Sequence, residues 1–164
     1  MIRTGIGYDF HPLAAGETLI IGGVEIPSSF GSVGHSDGDA LIHAVVDALL
    51  GAAALGDIGQ FFPSNDETWK GAPSSHFLAD AVKRIRESGF EINSVDATII
   101  LQTPKLTDHI QQMRYNLAYS MQIDESQVSV KATTTDNLGF VGDGSGWAVQ
   151  AIATVCNKND ACCP

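Results

Sequence analysis

Cysteine is scarce in this chain and badly placed for cross-linking: Cys156, Cys162 and Cys163 all fall in the last nine residues. An odd, clustered set at a polar tail is no disulfide framework and implies a reducing compartment. Basic residues are also few, nine against nineteen acidic ones, for a formal charge of −10. Such a field repels phosphate backbones and anionic bilayers, which argues against nucleic-acid and membrane-surface binding. No apolar run is long enough to span a membrane, and the first residues lack the pattern of a signal peptide. No repeat or low-complexity tract divides the 164 residues. One catalytic domain over 1–155 is therefore expected, followed by a disordered cysteine-containing tail over 156–164.

What is present is a folding chain, 44% hydrophobic and only 17% charged. Its centre is the stretch from Gly34 to Pro63. Leu41, Ile42, Val45, Val46, Leu49 and Leu50 recur at helical spacing and should face a core, with Ser36 or Asp37 as N-cap and Gly51 near the end. Before it, residues 3–11 alternate as a strand that Pro12 should end, and Leu19–Ile21 and Val24–Ile26 make a hairpin about Gly22-Gly23. Ser28–Val33 reads as a loop. After it come a helix from Ser74 or Ser75 to about Ser88, a buried strand over Ile92–Leu101 and a helix over roughly 105–121. Strands over Val128–Thr134 and Trp147–Val155 follow, joined through the glycine run Gly142–Gly146. A strand follows that run where a nucleotide loop would need a helix, so it is a turn. This order predicts an α+β fold, a single mixed β-sheet with helices packed on one face.

The helix also carries Asp39, His43 and Asp47, each four residues from the next and so on one face. Carboxylates flanking a histidine are the usual outer support of a metal-bound imidazole, and a solvated acidic face with an incidental histidine is the alternative. In the first strand, Asp9 and His11 point to the same side. With His43 they supply one oxygen and two nitrogens, the donor set of a catalytic zinc with one open position; unrelated polar residues would look the same. A bound cation would also let so acidic a chain accept an anionic substrate. Lys131–Asp136 is a second patch: threonine hydroxyls at a strand end can donate to phosphate, and Asp136 can hold a hard cation, though a Thr-rich strand needs no such role. His35-Ser36 precedes the helix as a further donor pair. The turn-rich stretch over 57–66 suits either a binding lid or an ordinary surface loop.

Asp9-x-His11, His35-Ser-Asp-Gly-Asp39 with His43, Asp57-Ile-Gly59, Phe62-Pro63, Pro104-Lys105 and Lys131-Ala-Thr-Thr-Thr135 closely resemble the 2-C-methyl-D-erythritol 2,4-cyclodiphosphate synthases, over nearly the whole chain. The resemblance implies a homotrimer with active sites between neighbouring subunits. It implies conversion of 4-diphosphocytidyl-2-C-methyl-D-erythritol 2-phosphate to the 2,4-cyclodiphosphate plus CMP, in the non-mevalonate route to isoprenoids. By the same resemblance Asp9, His11 and His43 hold zinc or another divalent transition metal, Asp136 serves a magnesium or manganese ion, and His35 and Thr134 stabilise the transition state. Asp57 and Gly59, with Phe62, Pro63, Ser64, Asn65 and Asp66, would meet the methylerythritol side, and Ser36 and Ile58 would also bind substrate. Leu101, Gln102, Thr103, Pro104, Lys105, Leu106, Thr107, Ala132, Thr133, Thr135 and Phe140 would complete the substrate pocket, with Asp39 and Asp47 behind the metal ligands.

Two positions depart from the pattern. Asp136 replaces a commoner glutamate, and Asp143 stands where many members carry an arginine that helps hold an isoprenoid phosphate on the threefold axis. Three aspartates there would repel such a ligand. A zinc-dependent phosphoesterase that uses water, and a non-catalytic trimer that binds isoprenoid or nucleotide, are the alternatives. A bacterial cytoplasm is the expected location, or a plastid if a leader has been removed.

Overall fold

The computed structural model describes residues 1–159. The chain runs β1 (Ile2–Ala15), β2 (Leu19–Ile21), β3 (Val24–Ile26), β4 (Phe30–Ser32), α1 (Ala40–Ala52), α2 (Ile58–Phe61), α3 (Ser74–Glu87), β5 (Phe90–Ile100), α4 (Ile110–Met121), β6 (Val128–Thr133), α5 (Gly139–Gly142) and β7 (Gly146–Asn157). The main sheet has the order β4-β1-β7-β5-β6. It is mixed: β5 and β6 run parallel, and the other pairs are antiparallel. The expected hairpin forms, but β2 and β3 make a separate two-stranded sheet, so the single sheet of the sequence reading is corrected to two.

Alternation on β1 decides which face is covered. Gly5 and Gly7 point toward α1, where a Cβ on either would strike the backbone of Ala48 or Ala44. This lets α1, buried along nearly its whole length, lie directly on β1 and β7. Helix α3 packs on α1 and β5, and α4 on β6. The opposite face carries Ile2, Ile6, Tyr8 and Phe10 of β1 and Ile152 of β7, all exposed.

Pro12 does not end β1. Its missing N–H is not needed there, because its carbonyl accepts from Val33 N–H at 2.9 Å while Leu13 N–H donates to the Ser145 carbonyl. Pairing with Leu13–Ala15 makes a short strand of Phe30–Ser32, which the sequence reading left as loop. The helix expected from 105 starts only at Ile110, because Leu106 turns into the core at 3% exposure. Cys156, which the sequence reading places at the start of the tail, is instead buried at 1% exposure within β7. Cys162 and Cys163 lie outside the described residues.

Candidate functional site

Helix α1 has its N-cap at Asp39, beyond the expected Ser36 or Asp37. The Asp39 carboxylate caps the helix by accepting from Ile42 N–H at 3.1 Å, and it also accepts from Gly22 and Gly23 at 3.0 and 2.7 Å. Asp39 thus ties α1 to the β2–β3 hairpin. Burial pushes its carboxyl up to about 6, with the Asp37 charge in the same direction, against the pull of the three amides. Asp47 accepts from Ile58 N–H at 2.7 Å and so anchors α2. The expected role of these two acids as braces of the His43 ring is corrected: both carboxylates are engaged by backbone amides.

The His43 ring reaches from α1 to β1. Its Nδ1 stands 3.0 Å from Asp9 Oδ2 and 3.3 Å from His11 Nε2, and His11 Nε2 is 3.0 Å from the same Asp9 oxygen. Tetrahedral zinc with arms of about 2.0–2.1 Å puts its ligands roughly 3.3 Å apart, so this trio fits such an ion closely. The second nitrogens are spoken for. His11 Nδ1 faces the Val33 carbonyl at 3.1 Å, which orients Nε2 toward the trio. His43 Nε2 lies 2.9 Å from Ser74 Oγ and 3.2 Å from Ser36 Oγ. Burial raises the Asp9 carboxyl, but hydrogen bonds and charge from His11 and His43 outweigh it and hold the group well below the usual carboxylate range. Burial lowers His11, yet its bond to Asp9 and that carboxylate's charge win and raise it.

A cleft of about 210 Å³ opens beside the trio, lined by His11, His35, Ser36, His43, Ile58, Gly59, Phe62 and Ser64 as the motif predicts. Trp69 and Phe77 line it too, and sequence reasoning missed both. Phe77 packs against Phe62 with ring centres 4.6 Å apart. Trp69 closes edge-on over both rings, from a 3₁₀ turn spanning Glu67–Trp69. His35 Nε2 bonds the Asp66 carbonyl at 2.9 Å. Asp57 and Asp66 cap their own short helices, while Pro63 and Asn65 sit in the connecting turn.

A larger cleft, about 530 Å³, lies at the far edge of the sheet. Leu101, Gln102, Pro104–Thr107, Ala132, Thr133 and Thr134 form its walls, with Ile110 as an unforeseen addition. Thr103 instead lines a neighbouring hollow with Asp143. Thr134 Oγ1 is 3.3 Å from Asp136 Oδ1, and Asp136 adopts a left-handed φ of +51°. Thr135 Oγ1 donates to the Leu138 carbonyl, and Phe140 packs on Phe10.

The chain is similar to known proteins in sequence and in fold. The 2-C-methyl-D-erythritol 2,4-cyclodiphosphate synthase of Alkaliphilus oremlandii is 54% identical over 154 residues, covering 94% of this chain and 98% of its own. That of Carboxydothermus hydrogenoformans is 54% identical over 155 residues, covering 94% and 95%. The structure of IspF from Plasmodium falciparum in complex with CDP matches with a TM-score of 0.85 at 36% identity, over 96% of this chain and 97% of that one. The bifunctional IspDF of Campylobacter jejuni matches with a TM-score of 0.92 at 41% identity; it covers 98% of this chain, which spans only 44% of that longer protein. The family model of the YgbB family aligns with residues 2–156, a span that takes in β1, α1, both clefts and all of β7 but Asn157. The chain belongs to the YgbB family.

Proposed function

We infer that this chain converts 4-diphosphocytidyl-2-C-methyl-D-erythritol 2-phosphate to 2-C-methyl-D-erythritol 2,4-cyclodiphosphate and CMP, the cyclising step of the non-mevalonate isoprenoid route. The observation that carries this is the convergence of Asp9, His11 and His43 to within 3.3 Å beside an open cleft, in a chain 54% identical to synthases of that name. The 2-phosphate attacks the β-phosphorus, a new P–O bond closes the ring, and the bond to CMP breaks. The nucleophile is already an anion, so no strong base is needed and catalysis rests on alignment and charge neutralisation. Zinc at the trio, with magnesium or manganese near Asp136, would polarise phosphoryl oxygens and offset their crowded charge. The protein's own part is to hold each imidazole with one nitrogen toward the trio. His35, pinned through Nε2 to the Asp66 carbonyl, and the Thr134 hydroxyl flank the phosphates, and the methylerythritol side lies in the cleft walled by Ile58, Gly59 and Phe62. Cytidine lies in the 530 Å³ cleft, with Lys105 near its phosphates.

Within one chain those two clefts are separated. Asp9 and His11 lie on β1 and Thr133 ends β6, with β7 and β5 between them. Three strand spacings of about 4.8 Å make roughly 14 Å, too far for neighbouring phosphates to bridge. A homotrimer that sets the trio of one subunit against the cytidine cleft of the next resolves this. The bare apolar strip of Ile2, Ile6, Tyr8, Phe10 and Ile152 is a fitting contact face for it. Each subunit contributes a single catalytic domain.

The test is product analysis by ³¹P NMR after incubation with substrate and magnesium. Cyclic diphosphate appearing in step with CMP is expected. An open-chain phosphate product would mark a hydrolase instead, and no CMP release would mark a binding protein.

A further inference from the structure

Helix α2 supplies Ile58 and Gly59 to the cleft beside the trio, yet little within α2 itself holds it in place. It has only four residues, none of them fully buried, and a single turn does not persist on its own hydrogen bonds. Its N-cap, Asp57, serves only local donors, the backbone and side-chain N–H groups of Gln60. Two contacts from other elements fix it. At the N-terminal end, Asp47 of α1 accepts from Ile58 N–H through Oδ1 at 2.7 Å, a short, charge-assisted bond. At the other end, the Arg84 guanidinium of α3 lies 4.1 Å from the centre of the Phe61 ring, held there by hydrogen bonds to Asp80. Asp47 lies one turn beyond His43 on the same face of α1, a helix buried along nearly its whole length. One rigid element therefore carries both a member of the trio and the tether of the cleft wall.

We propose that Asp47 is a positioning residue for the methylerythritol half of the substrate: by holding Ile58 N–H, it sets the distance between the trio and the wall formed by Ile58 and Gly59. Arg84 secures the far end of the same wall through Phe61. The role in substrate binding rests on the cyclising reading given above, whereas the tether itself does not. Loss of the tether frees the wall and leaves two things in place. The trio is built on β1 and α1, and the cytidine cleft lies at the far edge of the sheet. The grip on the non-reacting part of the substrate weakens, so KM rises while kcat changes little.

The experiment uses the full-length protein with substrate and magnesium. Asp47→Ala should raise KM about 10-fold, as loss of one hydrogen bond to a charged acceptor allows, with kcat within about threefold of the parent. Inhibition by CMP, which reads the cytidine cleft, should stay within about twofold, and zinc content should match the parent. Asp47→Asn keeps an oxygen acceptor for Ile58 N–H and should bring KM back to within about threefold. Hydrogen–deuterium exchange reads the tether without turnover: residues 55–62 should exchange about 10-fold faster in Asp47→Ala, and the strand bearing Asp9 and His11 should not change. Arg84→Ala, on a partly exposed side chain, should raise KM about 2- to 5-fold and covers the case that Asp47→Ala fails to fold. Parental KM in Asp47→Ala, or in Arg84→Ala where the first does not fold, overturns the proposal. So does turnover lost together with zinc at unchanged KM, the mark of a merely structural residue, and so does Asp47→Asn as impaired as Asp47→Ala. Failure of the cyclising reading looks different: the parent itself releases no CMP, which removes the substrate role, while exchange still shows whether Asp47 holds α2.

Discussion

Gly7 of β1 and Ala44 of α1 pass so closely that a Cβ on Gly7 would sit 1.9 Å from the Ala44 carbonyl oxygen. Ala44 follows His43 and Gly7 lies two residues before Asp9, so this contact sets the gap that the metal trio must span. Gly7→Ala should push α1 off the sheet, at a cost of about 3 kcal/mol or more. Because the strain falls beside the trio, zinc uptake should drop together with stability. Urea denaturation and zinc stoichiometry check both; full zinc binding at parental stability would show that the gap is not set here.

The strand–helix order, the hairpin register and the trio were all legible in the sequence, because each rests on local periodicity or on a short motif. What was hidden depended on contacts across the chain. Pro12 reads as a strand breaker until one sees that β7 and Val33 ask nothing of its nitrogen. Asp39 and Asp47 share a helix face with His43, yet which group a carboxylate meets was set by Gly22, Gly23 and Ile58, all remote in sequence. Ser74 reads as a helix cap by composition, and only the fold brings Asp37 in to cap it and turns its hydroxyl toward His43.

His43→Ala should abolish stoichiometric zinc binding and lower turnover by roughly 10³-fold. Its ring supplies the donor on α1, whereas Asp9 and His11 both sit on β1. Metal analysis by mass spectrometry and CMP release read the two effects. A variant still loaded with one zinc per chain and turning over as the parent does would remove His43 from the site.

Zinc affinity should fall with acidification earlier than free imidazole would suggest. The His11 pKa is raised by its bond to Asp9 and by that carboxylate's charge, which together outweigh burial, so protons compete with the ion already above pH 6.5. The Asp9 carboxyl is depressed and stays ionised across this range, so it adds no slope of its own. Competition titrations between pH 5.5 and 8 should show affinity flat at the top and dropping as pH falls. A midpoint well below 6.5 would contradict the raised imidazole.

Asp39 makes the opposite pH signature. Its folded-state pKa is raised from 3.8 to about 6, so the native protein holds the proton more tightly than the unfolded chain between those values. Stability from this group is greatest near pH 4 and declines as pH rises to about 6, by about 3 kcal/mol in all. Asp39→Asn cannot titrate, and its NH₂ must oppose one of the three amide donors, which costs about 1–3 kcal/mol. The destabilisation measured for Asp39→Asn should therefore shrink as pH is raised through this window. Denaturant midpoints of both proteins in zinc-free buffer give the comparison, and a difference constant from pH 4 to 7 would rule the shift out.

The strip on the open face of the sheet gives the assembly its own test. Ile6 is 63% exposed and is directly paired with Ile152, itself 44% exposed. Burying both against a second subunit would gain on the order of 1.5–3 kcal/mol for each side chain. Ile6→Lys places an unpaired charge in that contact while leaving the α1 side of the sheet untouched. Sedimentation should show trimers giving way to monomers. Zinc binding should survive, because all three ligands belong to one chain, while turnover should collapse, because the phosphates then meet only one of the two clefts. Monomers that cyclise at the parental rate would place the whole reaction within a single chain and refute the shared site.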